Sequence, residues 1–233
     1  MTASDKLTRL CAFVALAASV LQGCTILVHP PRMPPEASRI DFSDPVLNQR
    51  RVFVVGEITE SSAAQVIRQL WFLDAQGHSP IELYLMTAGG DLKAAFAIVH
   101  TMRLVTSRIH TYAIGECNSS GTVILAAGTG KRHAFDDTTL VIHGMEAKKD
   151  TPTRYINLTQ ESYTRFWRQH ARLPETWLPI PPRQLHFLSA QESLEFGLVD
   201  RVLKAAEPAG AATGSRLIRS ETNTTRSSAL TPR

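Results

Sequence analysis

Short apolar runs alternate along the middle of the chain with longer segments whose apolar residues recur at helical spacing. The runs at Val52–Val55, Ile81–Leu85, Ile109–Ile114 and Thr138–Ile142 predict buried strands. Strands that alternate with helices of this length imply right-handed βαβ crossovers and a mainly parallel sheet. The pattern therefore predicts one α/β domain over residues 50–203.

Four helices are predicted between and after these strands. The first opens at Ser62, where Gln65 three residues later can complete a capping box. Asp91 is expected to cap the second, and the third is expected at Gly121–Ala127. A longer helix near residues 152–172 has an aromatic-rich apolar face and is expected to protrude from the domain.

The first 23 residues have a basic start followed by a short apolar stretch. This pattern is typical of an export signal peptide and is too short for a good membrane span. The sequence Leu21-Gln22-Gly23-Cys24 resembles a bacterial lipobox, which implies that Cys24 is lipidated and becomes the mature N-terminus. Thr25, in place of an aspartate, favours sorting to the outer membrane. The alternative is an ordinary secreted protein with Cys24 a stray thiol, and both place the domain outside the cytoplasm, in the periplasm.

Composition divides the rest of the chain. Residues 24–49 are proline-rich and are expected to form an extended tether, and residues 204–233, rich in small polar residues, are expected to be disordered. The net charge is +4, of which the signal peptide contributes +1 and the last thirty residues +3, so residues 24–203 carry no net charge. This balance argues against a nucleic-acid partner. No metal and no cofactor are expected.

Three short motifs supply the parts of a serine hydrolase. A glycine pair follows a strand in Thr87–Asp91, a serine stands in the small-residue turn Asn118–Gly121, and a histidine ends the strand Val141–His143. A serine hydroxyl needs a base to become an effective nucleophile, and acyl transfer needs amide donors for the developing oxyanion. Glycines let backbone amides approach a substrate closely, because they lack a Cβ.

From about residue 50 to residue 203 the chain resembles the proteolytic subunit of the Clp protease, a branch of the crotonase-like superfamily. Six stretches match in family order: Arg51–Ile58, Leu83–Asp91, Ala97–Arg103, Ile114–Gly121, Leu140–Gly144 and Phe187–Asp200. The resemblance implies the α/β fold of that family, with a handle-like helix, and a serine-type endopeptidase activity.

Matched residue by residue, the resemblance implies that Ser119 is the nucleophile and His143 the base. It implies that the turn of Gly89 and Gly90 and the amide of Ser120 form the oxyanion hole. The structural alternative is that Ser119 merely caps a helix and that His143 is an ordinary histidine at the end of a strand.

Other residues near these motifs offer alternatives. Ser120 is a neighbouring candidate nucleophile, although alignment on Gly121 favours Ser119. Cys117 could be a thiol nucleophile, but a cysteine two residues before the aligned serine more often packs in the core as a small apolar residue. It stands alone once Cys11 and Cys24 are assigned to the signal peptide and the lipid, so no internal disulfide is expected.

The third member of the catalytic triad is missing. The aspartate of the family falls on Pro181, and a proline cannot hold an imidazole in one tautomer. Glu175, Asp150 or Asp200 could substitute, and a Ser-His pair with a backbone carbonyl as the orienting group is equally consistent. A lysine base, Lys148 or Lys149, is a further alternative, since a neighbouring branch of the superfamily uses one.

Assembly also departs from the family. The segment after the histidine, Gly144–Asp150, stands where the family has the stretch Gln-Pro-Leu-Gly-Gly. The aromatic face of helix 152–172 could support a homo-oligomer. The periplasm holds no ATP for an unfoldase partner.

Two functions follow from these observations. The first is a lipid-anchored, ATP-independent periplasmic serine peptidase acting on short or unfolded peptides. The second is a catalytically inactive binding or assembly module with the same fold.

Overall fold

The computed structural model describes residues 41 and 43–204. The predicted signal peptide, Cys24, most of the tether and the tail after Lys204 lie outside the described residues. Among the described helices, none is both long and apolar enough to cross a membrane.

One sheet contains the seven strands of the described residues. In chain order they are β1 (Arg51–Ile58), β2 (Ile81–Gly90), β3 (Ile109–Asn118), β4 (Arg132–Phe135), β5 (Thr139–His143), β6 (Leu185–Ser189) and β7 (Arg201–Leu203). Over residues 43–204 the helices are α1 (Pro45–Asn48), α2 (Glu60–Ala75), α3 (Leu92–Leu104), α4 (Ser120–Ala126), α5 (Thr153–His170) and α6 (Ala190–Glu195), with one 3₁₀ turn at Glu175–Trp177. The short strands β4, β6 and β7 are additional to those that the apolar runs predict.

Most strand pairs are parallel, which confirms the predicted fold class. The strands β1, β2 and β3 lie side by side, β4 pairs with β7, and only the pairing of β5 with β6 is antiparallel. Strand β3 has two partners on one side: its first half, Thr111–Ala113, pairs with β4, and its last residues, Glu116–Asn118, pair with β5. This split places the end of β5 directly beside the end of β3.

Alternation along the strands separates the two faces of the sheet. Val54 and Leu83 are buried in the core, where α2, α3 and α4 pack on the sheet. The opposite face carries a row of stacked rings from four neighbouring strands, with centroid separations of 5.1, 4.7 and 4.4 Å: Phe53, Tyr84, Tyr112 and His133.

One helix start differs from the sequence-based expectation and another agrees with it. Helix α2 is capped by Thr59 and not by Ser62, because Thr59 has an extended backbone and its hydroxyl accepts from the Ser62 amide, while the Ser62 hydroxyl accepts from the Thr59 amide. Ser62 therefore completes the capping box, the role that Gln65 was expected to have. Asp91 does cap α3, since its carboxylate accepts from the Ala94 amide at 2.9 Å.

The end of the predicted tether is helical rather than extended. Asp44 accepts from the Val46 amide, and Pro45 occupies the first helical position, where its missing N–H costs nothing. Leu47 is buried against the core, so α1 belongs to the domain.

Helix α5 corresponds to the protruding helix expected near residues 152–172. Its C-terminal half packs on the domain, with Trp167 fully buried and the Phe166 ring edge-on to Phe96 at 5.6 Å. Its N-terminal half leaves Tyr155 and Leu158 exposed.

The buried Asp74, near the end of α2, is hydrogen-bonded to the loop before β3, and Arg50 connects that loop to the loop after α2. Asp74 accepts from the amides of Thr106 and Ser107, at 3.2 and 2.8 Å, and from the Ser107 hydroxyl at 2.7 Å. The Arg50 guanidinium donates to the same hydroxyl and to carbonyls of the loop after α2. Burial alone would raise the pKa of Asp74, but these hydrogen bonds outweigh it and lower the pKa to about 2.

We expect Asp74→Asn to lower the free energy of unfolding at pH 7 by about 2 kcal/mol. Because the pKa of Asp74 is lower in the folded than in the unfolded chain, its stabilisation is complete above about pH 4 and is lost as pH falls through about 2. Urea unfolding at pH 7 and at pH 3 checks this, since the difference between wild type and variant should shrink at the lower pH. Asp137→Asn, at an exposed position, is the control, and an equal loss in both variants would contradict the prediction.

Candidate active site

Ser119 occupies a strained turn between β3 and α4. Its φ is 54° and its ψ is −124°, a conformation that non-glycine residues seldom adopt. Three hydrogen bonds hold its backbone there: its amide donates to the Val141 carbonyl of β5 at 2.7 Å, and its carbonyl accepts from the Thr122 hydroxyl at 2.6 Å and from the Thr122 amide at 3.0 Å. Its own side chain makes no capping hydrogen bond, so capping does not explain the serine. Sharp strand-to-helix turns of this kind expose nucleophilic serines in hydrolases.

Gly89, near the end of β2, lies directly against this serine. A Cβ on Gly89 would lie 2.5 Å from the Ser119 Cβ and 3.1 Å from its hydroxyl oxygen, and the Gly89 φ is 104°. Gly121 allows a second close approach, since a Cβ there would lie 2.6 Å from Thr87 Cγ2. Side chains at either position would push the glycine turn and the serine apart.

The predicted oxyanion donors differ in what they bind. The Gly89 amide donates to the Thr87 hydroxyl at 2.9 Å, so it is already engaged within its own turn. Gly90 and Ser120 both line the cavity beside Ser119. Thr87 was missed by the sequence reasoning, although it stands in the same motif; it is buried, and it shapes the turn that presents Gly90.

His143 ends β5 and is held through its neighbours. Its Nδ1 lies 2.8 Å from the Gly144 carbonyl oxygen, and a hydrogen bond from Nδ1–H to that oxygen leaves Nε2 unprotonated as the acceptor. The Tyr163 hydroxyl donates to the His143 carbonyl at 2.9 Å. Burial raises the pKa of Tyr163 to about 12, which keeps this donor protonated.

No Asp or Glu among the described residues forms a hydrogen bond or ion pair with His143. Asp200 is paired with Arg132 and Glu175 with Arg168, each through its own carboxylate. The Pro181 backbone packs directly on Gly144, in contact with the position a Cβ would take. The geometry thus corresponds to the alternative in which a backbone carbonyl orients the histidine.

Ser119 and His143 line one cavity of about 380 Å³. No hydrogen bond joins their side chains within the described part of the chain. Such catalytic contacts commonly tighten only when substrate binds. The other walls come from the start of α3, from the loop after β5 and from α5: Asp91, Leu92, Lys93, Gly144, Met145, Glu146, Ala147, Lys148, Thr151, Tyr155, Ile156, Thr159 and Tyr163. A larger groove of about 590 Å³ runs between α3 and α5, and neither Ser119 nor His143 lines it.

The structure bears differently on the other candidates, which are the Cys117 thiol, a lysine base and a metal site. Cys117 is fully buried, and burial raises the pKa of its thiol, which disfavours the reactive thiolate. Its sulfur would lie 3.4 Å from a Cβ on Gly121, in ordinary packing contact. Lys148 lines the cavity that holds Ser119 and His143, and Lys149 does not, so Lys148 is the better placed of the two candidate lysine bases. No cluster of three or more metal-ligating side chains occurs among the residues described.

The sequence was also compared with models of known protein families. The model described as Clp protease matches residues 35–206 of the 233-residue chain. The match covers every strand described above and all three motifs of the site.

We expect Gly89→Ala to destabilise the protein more than Gly115→Ala does. Both glycines have positive φ, at 104° and 68°, so alanine costs about 1–2 kcal/mol of backbone strain at either position. A Cβ on Gly115 meets nothing within 4 Å, whereas on Gly89 it meets Ser119. Urea unfolding of both variants measures the difference, and equal losses would show that the close approach to Ser119 is not needed for folding.

Proposed function

This chain belongs to the Clp protease family, and from that premise we propose that it is a serine peptidase in which Ser119 is the nucleophile and His143 the base. The observation that carries the proposal is the Ser119 backbone. Ser119 has a strained left-handed backbone conformation, its side chain makes no capping hydrogen bond, and it lines a cavity together with His143. These are the surroundings expected of a nucleophilic serine.

The proposed reaction follows from the placement of the groups. His143 Nε2 takes the proton from Ser119 Oγ as the oxygen attacks the substrate carbonyl carbon. The carbonyl oxygen becomes an oxyanion and accepts from the amides of Gly90 and Ser120. The protonated imidazole then gives its proton to the leaving amine, and an acyl-enzyme remains, which water hydrolyses by the same steps in reverse order.

A backbone carbonyl supports this histidine less well than a carboxylate. The Gly144 oxygen can fix the tautomer of His143, but it carries no charge to stabilise the imidazolium. Removing the carboxylate from a full triad lowers kcat by about 10⁴-fold in a well-characterised serine protease. We therefore expect slow hydrolysis, directed at short or unfolded peptides that can enter the cavity without ATP-driven unfolding.

The walls of the cavity favour apolar side chains of the substrate. Met145, Tyr155 and Ile156 lie around the site together with the aliphatic parts of Lys93 and Lys148. The exposed Tyr155 and Leu158 of α5 suit contacts with another copy of the chain, so we include homo-oligomerisation in the proposal.

We further propose that the protein is a lipoprotein of the periplasm, anchored to the outer membrane through Cys24. The support is the sequence Leu21–Cys24 after a basic and then apolar start. Lipidation would place the domain at a membrane surface, with the tether setting its reach.

The second candidate function is a catalytically inactive binding or assembly module. The observation in its favour is that no carboxylate reaches His143 among the described residues and that the family's aspartate is replaced by Pro181.

A serine-directed fluorophosphonate probe separates the two functions. We expect the wild type to be labelled, Ser119→Ala to lose labelling, and His143→Ala to react about 10²-fold or more slowly, because the general base is gone. Rates of labelling are read by gel fluorescence. Ser162→Ala and His100→Ala, which lie outside the proposed machinery, are the controls and should react like the wild type. A folded wild type that does not react would favour the binding module, and undiminished labelling of Ser119→Ala would exclude Ser119 as the nucleophile.

We expect radiolabelled palmitate to be incorporated into the wild type expressed in a Gram-negative host and to be absent from Cys24→Ala. The label would be carried by a thioether-linked diacylglyceryl group on this cysteine and by an acyl chain on its new N-terminus. Autoradiography of the purified proteins measures it, with Cys117→Ala as the control that keeps the label. Equal incorporation into both cysteine variants would refute the anchor.

A further inference from the structure

The side chain next to the proposed nucleophile is buried without a partner. Ser120 is 3% exposed, and its Oγ has no hydrogen-bond partner among the described residues. The residue also lines the cavity that holds Ser119 and His143.

Other hydroxyls in the same region do find partners. The Thr122 hydroxyl, two residues further along α4, donates to the Ser119 carbonyl at 2.6 Å. The Thr111 hydroxyl donates to the Leu125 carbonyl at the end of the same helix at 2.9 Å. Buried polar groups in folded proteins are nearly always bonded, and an unbonded one carries a free-energy cost and requires an explanation. The local fold can satisfy hydroxyl groups, so Ser120 is an exception that packing alone does not explain.

We infer that, when substrate binds, the enclosed Ser120 side chain rotates toward the cavity that this residue lines, and that its hydroxyl then donates a hydrogen bond to the substrate carbonyl oxygen beside the amides of Gly90 and of Ser120 itself. This inference rests on the proposed function, because it assumes acyl transfer at Ser119. The proton stays on Ser120 Oγ throughout, and no covalent bond to this residue forms or breaks.

The energetic reason is the difference between the free and the reacting site. A donor that has no partner in the free protein and binds the oxyanion in the transition state lowers the activation free energy by the full strength of that hydrogen bond. Removal of one side-chain donor from an oxyanion hole lowers kcat by about 10²–10³-fold in a studied hydrolase. The same removal takes away an unsatisfied buried group, so the free protein should lose no stability.

The test compares Ser120→Ala with Ser193→Ala in the full chain. Ser193 is also fully buried, but its hydroxyl donates to the Ser189 carbonyl at 2.9 Å, far along the chain from the cavity. Turnover of a p-nitrophenyl ester gives kcat and KM, and thermal unfolding gives Tm. We expect Ser120→Ala to lower kcat by about 10²-fold with KM changed less than about threefold and with Tm unchanged or raised. We expect Ser193→Ala to lower Tm and to keep kcat.

Ser120→Thr restores a hydroxyl and should recover part of the lost kcat, which a purely structural serine would not require. An unchanged kcat in Ser120→Ala would overturn the inference and leave the proposed function standing. Mapping of the fluorophosphonate adduct to Ser120 instead of Ser119 would also overturn it, since Ser120 would then be the nucleophile. A folded wild type that neither turns over the ester nor reacts with the probe would refute the proposed function, and the inference with it.

Discussion

The site depends on one backbone constraint, the left-handed conformation of Ser119 at the junction of β3 and α4. The chain keeps it through the hydrogen bond from the Ser119 amide to the Val141 carbonyl, which is also the last link between β3 and β5. The strain is thus located where the sheet joins β3, which leads into Ser119, to β5, which ends at His143. A relaxed φ at this serine would require that link to break, so the core of the domain stabilises the site directly.

Two glycines allow close packing around this junction, beside the cavity. Gly89 and Gly121 let β2 and α4 approach Ser119 and Thr87 more closely than any side chain would allow. The split pairing of β3 then opens the sheet at its carboxyl end, because β4 leaves after Ala113 and β5 takes its place beside Glu116. Ligand sites of open α/β sheets gather at such edges, where neighbouring loops diverge.

The replacement of the family's aspartate changes the electrostatics of the site more than its shape. The Pro181 segment packs against Gly144, the residue that follows His143, and Pro182 forms an isolated β-bridge with the same glycine. The group hydrogen-bonded to His143 Nδ1 is a neutral carbonyl, and the carboxylates of Asp200 and Glu175 are bound by arginines. The arrangement retains orientation of the imidazole while giving up stabilisation of its charged form, which fits a slow peptidase that works without an ATPase.

Local sequence patterns and tertiary contacts determine different parts of this molecule. The amino-acid sequence alone determined the α/β class, the cap at Asp91 and the three motifs, because hydrophobic periodicity, capping and glycine turns are local properties of the chain. Only the tertiary structure decided that Thr59 rather than Ser62 begins α2, that Leu47 anchors the end of the tether, and that Thr87 engages the Gly89 amide. It alone showed which group faces His143 and that the Ser120 hydroxyl lacks a partner. These features depend on strand register and on contacts between residues far apart in the chain, which no local pattern encodes.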